Sequence, residues 1–258
     1  MTYLIKILLI SFLLSTPALA ADKNTVTNKI LALTGMKSHA HEIANFAINE
    51  IENRKAGLPE DEFKRLNTII RQAFNEENIY SIIAAHFKHH YDAKHSPQWL
   101  SALKTTEMVE ISALEHEGAK PSNFKNVIAY AQQLQSSPPA KTRLDLIKRL
   151  NDATRASDLA IESQISVTKI LLHAINPYLT SNKQMSTSQL KSALDALRMQ
   201  MTQNLEQFTT ITYLYTYRTL SDEALKQYVT QYESPAGQWI SNTTYNAVME
   251  ALTDANQP

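Results

Sequence analysis

The sequence contains no cysteine and only four glycines among its 258 residues. Without cysteine the chain has no disulfide, no thiolate metal site, no thiol nucleophile and no cysteine for a lipid anchor. The scarcity of glycine argues against tight β-hairpins, whose turns need residues with positive φ. The 25 basic and 25 acidic residues cancel in net charge. The basic residues form no stripe of the kind that would indicate binding to nucleic acid or to an anionic membrane surface.

The N-terminal segment carries the three-part pattern of a secretory signal peptide. Lys6 precedes an apolar run over residues 7–14, which is shorter than the about 20 residues that a membrane-spanning helix needs. The small residues Ala18 and Ala20 follow at the positions that signal peptidase reads. We therefore expect residues 1–20 to be removed after export. The remaining chain, without an integral membrane segment, would be periplasmic in a bacterium with two membranes.

Apolar residues recur at helical rather than alternating spacing, which predicts an all-α multi-helix bundle. Three such apolar stripes run over residues 63–74, 79–86 and 124–134. Between the second and the third, the Ser96-Pro97 pair has the form of an N-cap followed by proline at the first helical position. This pair predicts one helix that continues to Gly118.

The double proline at 138–139 is the best candidate boundary between two halves of the chain. It separates an N-terminal helical subdomain, residues 21–137, from a C-terminal helical subdomain, residues 140–258. Residues 94–100 resemble residues 232–240, and each segment contains one of the two tryptophans. Duplication of a helical unit and a chance match both explain this likeness.

The longest predicted element covers residues 187–219, where apolar residues keep a 3–4 spacing without proline or glycine. As one helix it would extend about 48 Å at 1.5 Å per residue. Residues 209–217 are rich in β-branched and aromatic residues, but a lone strand would have no partner, so we favour helix. In heptad register Asn204 falls at a seam, as in a coiled coil. We favour an intramolecular bundle, since the flanking helices must also bury their apolar faces.

Two segments near the C-terminus form a motif, namely residues 220–225 (LSDEAL) and 232–238 (YESPAGQ). Each motif residue has a structural role by its type: N-cap, helix stop and start, close helix approach, and a hydrogen bond across the corner. The residues in these roles are, in chain order, Ser221, Ser234, Pro235, Gly237 and Gln238.

The same two segments resemble a bacterial exported family known as domain of unknown function 2059. Residues 29–35 are also similar to that family's opening helix. The resemblance is best over about the last forty residues and implies a helical fold and export. Because the family has no established activity, the resemblance implies no chemistry.

Histidine is the one suggestive excess, with four residues between positions 86 and 95. His86 and His90 are four apart on a predicted helix, so the two rings could share a metal ion, with Asp92 or Glu107 completing the site. The alternative is that His86 is a hydrogen-bonded core residue, because it continues the apolar stripe before it. His90 would then lie near the helix end, where a cation complements the helix dipole.

No nucleophile elbow, phosphate loop or zinc-protease motif is present in the sequence. We therefore expect a non-enzymatic interaction or accessory protein without a cofactor, binding an unknown protein partner in the cell envelope. The oligomeric state is left open. The alternatives are a metal-binding protein or metal-dependent hydrolase at His86 and His90, and a small-molecule carrier. For the partner contact the sequence offers these side chains: Leu225, Tyr228, Tyr232 and Trp239.

Overall fold

A computed structural model describes residues 22–179 and 184–254. Within these ranges the chain is 85% helical and contains no strand, which confirms the predicted all-α multi-helix bundle. The proposed signal peptide lies outside the described residues. The α-helices are α1 (Lys23–Leu33), α2 (Met36–Glu52), α3 (Glu60–Ala73), α4 (Glu76–His89), α5 (His95–Ala102), α6 (Thr106–Gly118), α7 (Phe124–Ser136), α8 (Lys141–Thr154), α9 (Ala156–Ile175), α10 (Thr187–Thr216), α11 (Asp222–Glu233) and α12 (Pro235–Asp254).

The first two predicted apolar stripes become α3 and α4. In α3 the buried residues are Phe63, Leu66 and Ile70, and three acidic residues occupy its first turn, where the helix dipole favours them. The side chain of Asn75 caps α4 by accepting a hydrogen bond from the Asn78 amide. Spacing and capping therefore agree along this part of the chain.

The prediction of a single helix from Ser96–Pro97 to Gly118 is wrong, because the chain turns between α5 and α6. A new N-cap explains the break, since the Thr105 hydroxyl accepts a hydrogen bond from the Met108 amide. Ser96 is also not the N-cap of α5. It lies inside that helix, fully buried, and its hydroxyl accepts a hydrogen bond from the Asp92 amide at 3.0 Å.

The predicted long helix is present as α10, which stays helical through the β-branched segment up to Thr216. It packs along α9, and the two helices share a small apolar cluster that includes Ile161, Ile165 and Met201. Asn204 is exposed on α10, so it does not occupy a buried polar seam position. The packing of α10 is that of a bundle helix against its own chain.

The third predicted stripe forms α7, but most of it is not buried. Among the described side chains of α7, only that of Val127 is buried. Phe124 and Ile128 are 55% and 44% exposed, and the Phe124 ring has Phe208 of α10 as a neighbour at 6.3 Å between centroids. Helical spacing correctly predicted the element, whereas α7 leaves much of its apolar face in solvent.

One large core joins the two halves of the chain. Its buried residues come from both sides of the double proline, from Val26 to Leu252. Helix α12 packs along α4 and against α5, α8, α9 and α11. The C-terminal helix is therefore the element that connects the two halves. None of the described helices is long and apolar enough to cross a membrane.

The two similar tryptophan segments pack reciprocally across this core. Trp99 of α5 is fully buried, and its ring meets the Tyr232 ring at the end of α11 at 5.0 Å between centroids. In the opposite direction, Trp239 of α12 donates from Nε1 to the backbone oxygen of His90 at the end of α4, at 3.2 Å. Each tryptophan thus contacts the helix end that precedes the other.

Candidate functional site

The C-terminal motif builds the corner between α11 and α12. Ser221 caps α11 by accepting a hydrogen bond from the Ala224 amide at 3.2 Å. At the corner, the Ser234 hydroxyl donates to the Gln231 carbonyl at 2.6 Å and accepts from the Gly237 amide at 3.1 Å. Gln238 donates from Nε2 to the Glu233 carbonyl at 3.3 Å. Pro235 begins α12 directly after this cap.

Of the residues offered for partner contact, two lie in the core. Leu225 and Tyr228 are 0% and 4% exposed, so their side chains present no surface to a partner in this conformation. Tyr232 is partly buried against the same core. Trp239 is also partly buried, but it lines an open depression beside His90. Only the last of the four therefore reaches a surface pocket.

The tyrosines of α10 and α11 form a chain of ring contacts, here called the tyrosine cluster, which comprises Tyr213, Tyr217, Tyr228 and Tyr232. Successive ring centroids in this cluster lie 5.5, 5.9 and 5.2 Å apart. Glu115 of α6 reaches the cluster, and its Oε1 accepts hydrogen bonds from the hydroxyls of Tyr217 and Tyr228, both at 2.6 Å. The cluster is thus an internal aromatic layer joined to α6 by one carboxylate.

Burial raises the pKa values of the acidic groups in this layer. Removal of its carboxyl group from water raises the pKa of Glu115, although the two tyrosine hydrogen bonds act in the opposite direction. Burial, followed by the negative charge of Glu115, raises the pKa of Tyr217 and of Tyr228 well above the ordinary value. Burial also raises the pKa of Tyr213 to about 12. These hydroxyls therefore act as hydrogen-bond donors at neutral pH.

The histidine pair lies where α4 ends against α12. His86 is 8% exposed in its side chain, and its Nδ1 forms a very short contact with the carboxylate of Glu250. The His90 ring stacks on His86 at 4.2 Å between centroids and 29° between planes. Burial, followed by the charges of His86 and His89, lowers the pKa of His90. His86 is thus a hydrogen-bonded core histidine, the alternative that the sequence left open.

The same geometry gives little support to a metal site. Two stacked imidazoles turn their faces to each other, so their ring nitrogens do not converge on one point. Asp92 uses Oδ1 to accept hydrogen bonds from the amides of Lys94 and His95, at 2.8 and 2.7 Å. Throughout the described ranges, no group of three or more His, Asp or Glu side chains is placed to hold a metal ion.

Two depressions flank the exposed face of α12 and share Asn242. The first, of about 380 Å³, here called the arginine end, is lined by Arg149, Asp152, Ala153, Arg155, Glu233, Gln238, Ser241 and Asn242. The second, of about 330 Å³, here called the histidine end, is lined by His86, His90, Tyr91, Asp92, Trp239, Asn242, Thr243 and Asn246. The two depressions adjoin at Asn242 on the exposed face of α12, and together they are here called the α12 groove.

At the arginine end, Arg149 forms a tight ion pair with Glu233, whereas Arg155 makes longer polar contacts. Arg149 donates to both carboxylate oxygens of Glu233, at 2.8 and 2.6 Å. Arg155 lies with its guanidinium carbon 3.5 Å from the centroid of the Tyr245 ring and donates to Asn242 Oδ1 at 3.3 Å. The backbone of Arg155 has a φ of 58°, in the left-handed region. Such backbone conformations in non-glycine residues persist where the surrounding structure holds them.

Sequence reasoning reached the histidine end through the cluster of histidines, but of the arginine end it singled out only Gln238, as a residue of the corner motif. Arg149, Arg155 and Glu233 look like ordinary surface charges in the sequence, and their meeting depends on the packing of α8 and α9 against the α11–α12 corner. Glu115 and Glu250 were missed for the same reason. The one usable signal was proximity to the corner motif, which places Gln238 beside Glu233.

Comparison with known proteins adds no identity to this geometry. The chain matches no protein-family model, no curated protein and no solved structure.

Proposed function

We propose that this chain is an exported, non-enzymatic binding protein of the bacterial cell envelope and that it holds its partner on the α12 groove. The observation that carries the proposal is that two depressions flank the exposed face of α12 and adjoin at Asn242. Arginine, tryptophan, tyrosine and histidine line the groove, and the first three are enriched at protein interfaces. A segment of a partner protein lying along α12 would contact both ends.

Export is part of the proposal and rests on the pattern over residues 1–20. The resemblance to domain of unknown function 2059 supports the same address. Mass spectrometry of the chain recovered from a periplasmic fraction tests it, with a mature N-terminus at Ala21 as the expected result. A chain that retains residues 1–20 and stays in the cytoplasm would contradict export without touching the groove.

The groove is tested with substitutions on its exposed rim. Asn246 is exposed and lines the histidine end, so Asn246→Arg should block a partner segment without disturbing the core. Asn204→Arg places the same change on an exposed asparagine of α10, away from the residues that line the groove, and serves as the matched control. We expect affinity capture from envelope extracts to retain one stoichiometric partner with the control and to lose it with Asn246→Arg. Equal capture by both variants would contradict the proposal.

A small-molecule ligand is the second candidate, and the cavity volumes are large enough for one. Volumes of about 380 and 330 Å³ lie at the lower end of the range of about 300–1,000 Å³ typical of ligand pockets. Native mass spectrometry of the chain purified from its own periplasm separates the candidates. A discrete added mass below that of a protein, lost in Asn246→Arg, would favour the carrier over the protein partner.

A further inference from the structure

We infer that the arginine end of the α12 groove is a carboxylate-binding site and that Arg155 is the residue that recognises the carboxylate. The inference rests on the proposed function and deepens it, because it assigns a ligand chemistry to one end of the same groove. Four observations support it: the state of the ion pairs, an unpartnered hydroxyl, the backbone of Arg155, and the charge of the cavity wall.

The other charged side chains at this end already have short partners. Arg149 and Glu233 form a two-bond pair at 2.8 and 2.6 Å, and Asp152 accepts from Lys148 at 2.6 Å. Arg155 has longer contacts, 3.3 Å from Nη1 to the neutral Asn242 oxygen and 3.7 Å from Nε to Asp158 Oδ2. Charge-assisted hydrogen bonds of arginine are normally about 2.7–2.9 Å long. The Arg155 guanidinium therefore has donor capacity to offer a ligand.

Ser241 carries a second donor, which is enclosed in the wall of the same cavity. Its residue is 6% exposed, and among the described residues its Oγ has no hydrogen-bond partner. Ser241 also lines the arginine end together with Arg155. A buried hydroxyl without a partner is costly, and native proteins normally satisfy such groups. This oxygen is itself enclosed by protein, so a ligand oxygen accepts from the hydroxyl only when the side chains that cover it at the cavity wall move aside.

The backbone conformation and the ring contact of Arg155 restrict the position of its side chain. In the described part of the chain, Arg155 is the one non-glycine residue with positive φ. Its guanidinium is stacked on Tyr245, so the cation loses little further freedom when it binds a ligand. The positive φ is the left-handed cap that ends α8, and it places the start of the Arg155 side chain beside the cavity.

The cavity wall favours a carboxylate over a phosphate. Glu233 and Asp152 both line it, and their negative charges repel a doubly charged anion more than a singly charged one. A planar carboxylate also matches the two parallel donors of a guanidinium. The C-terminal carboxylate of a peptide and a free small carboxylic acid share this chemistry. The experiment therefore includes both sources.

The test uses the full chain labelled with ¹⁵N and follows the backbone amide signals of Ser241 and Asn242 by NMR. The probes are acetate, triglycine with a free C-terminus, triglycine amide and inorganic phosphate. We expect saturable shifts with acetate and triglycine and none with the amide. Tighter binding of triglycine would assign the site to peptide C-termini, whereas equal or tighter binding of acetate would assign it to small carboxylic acids. Absence of saturable shifts with both carboxylates, equal shifts with the amide, or tighter binding of phosphate would overturn the inference.

Arg155→Gly is the decisive variant, because glycine adopts positive φ without strain. We expect its thermal midpoint to stay near that of the unsubstituted chain and its carboxylate affinity to fall about 10- to 100-fold, the usual effect of losing hydrogen bonds to a charged group. Ser241→Ala removes the unpartnered hydroxyl and gives a second test, with weaker binding and an undiminished thermal midpoint expected. Arg54→Gln, an exposed arginine 3.8 Å from Glu50 and absent from the groove lining, is the control.

Two results separate this inference from the proposed function. If Asn246→Arg abolishes partner capture while Arg155→Gly binds carboxylates as well as the unsubstituted chain, the groove remains the binding surface and the carboxylate assignment is wrong. If acetate binds and Arg155→Gly loses it, but Asn246→Arg leaves partner capture intact, the carboxylate site stands and the groove is not the partner surface.

Discussion

At the scale of single residues, Glu115 carries the largest electrostatic consequence. One of its oxygens accepts from two tyrosine hydroxyls, and its partial burial outweighs these bonds in raising its pKa. A carboxyl group with a raised pKa in the folded state stabilises the fold below its ordinary pKa of 4.5 and loses that contribution as the pH rises through the folded value. Folding stability should therefore fall from weakly acidic pH upward on account of this residue.

Glu115→Gln tests that dependence, because the amide oxygen can still accept from Tyr217 and Tyr228 while the charge is removed. We expect the variant to gain stability relative to the unsubstituted chain as the pH rises above about 4.5. Urea unfolding at several pH values measures the difference. A difference that stays constant with pH would show that Glu115 titrates at the same pH in the folded and unfolded chain.

Gly237 is the residue where the corner motif depends on the absence of a side chain. A Cβ at this position would lie 2.5 Å from Tyr232 Cα and closer still to two carbonyl oxygens of α11. Gly237→Ala should cost about 1–3 kcal/mol, as overpacking of a closely packed site does. Gly57→Ala is the control, since a Cβ there has nothing within 4 Å. Similar thermal midpoints for both variants would contradict the close approach of the two helices.

At the scale of elements, Arg143 of α8 holds the turn between α10 and α11. Its side chain is 12% exposed and donates to the Leu220 carbonyl at 2.9 Å and to Asp222 at 2.7 Å, with a further short bond to the Tyr217 carbonyl. These bonds satisfy carbonyls that the end of α10 and the turn leave free. The turn between two helices is therefore fixed by a residue from a third.

Arg143→Ala should destabilise the fold by about 3 kcal/mol, because breaking a largely buried charge interaction leaves its partners unsatisfied. The comparison is Lys148→Ala on the same helix. Lys148 pairs with Asp152 in an exposed salt bridge, with side chains 75% and 58% exposed, and such solvent-screened pairs contribute little to stability. Equal effects in denaturant unfolding would show that Arg143 is no more important than a surface ion pair.

The elements also show how far sequence reasoning reached. Periodicity predicted α3, α4, α7 and α10 because those patterns are local, and the caps at the α11–α12 corner were predictable for the same reason. The N-cap prediction failed at Ser96, because α5 begins one residue earlier and the Ser96 hydroxyl instead accepts a local hydrogen bond from the Asp92 amide. The candidate site was harder to predict from the sequence. Arg155 and Ser241 line one cavity only because distant parts of the chain pack together.

At the scale of the whole molecule, the two halves share one core through α12. Burial is continuous from Val26 to Leu252, and each tryptophan contacts the opposite half. We expect a single cooperative unfolding transition, with tryptophan fluorescence and far-ultraviolet circular dichroism changing together. Two separated transitions would instead support the independent subdomains 21–137 and 140–258. The reciprocal tryptophan contacts fit a duplicated helical unit, which stays a prediction.

The central claim is that the α12 groove is the surface on which this protein binds, and crosslinking inside the cell tests it most directly. A photo-reactive amino acid is placed at Asn242 or Asn246 in the groove and, as the control, at Asn204 on α10. We expect one discrete adduct from both groove positions, none from Asn204, and loss of the Asn242 adduct when Asn246→Arg is added. Adducts from Asn204 alone, or equally from all three positions, would contradict it.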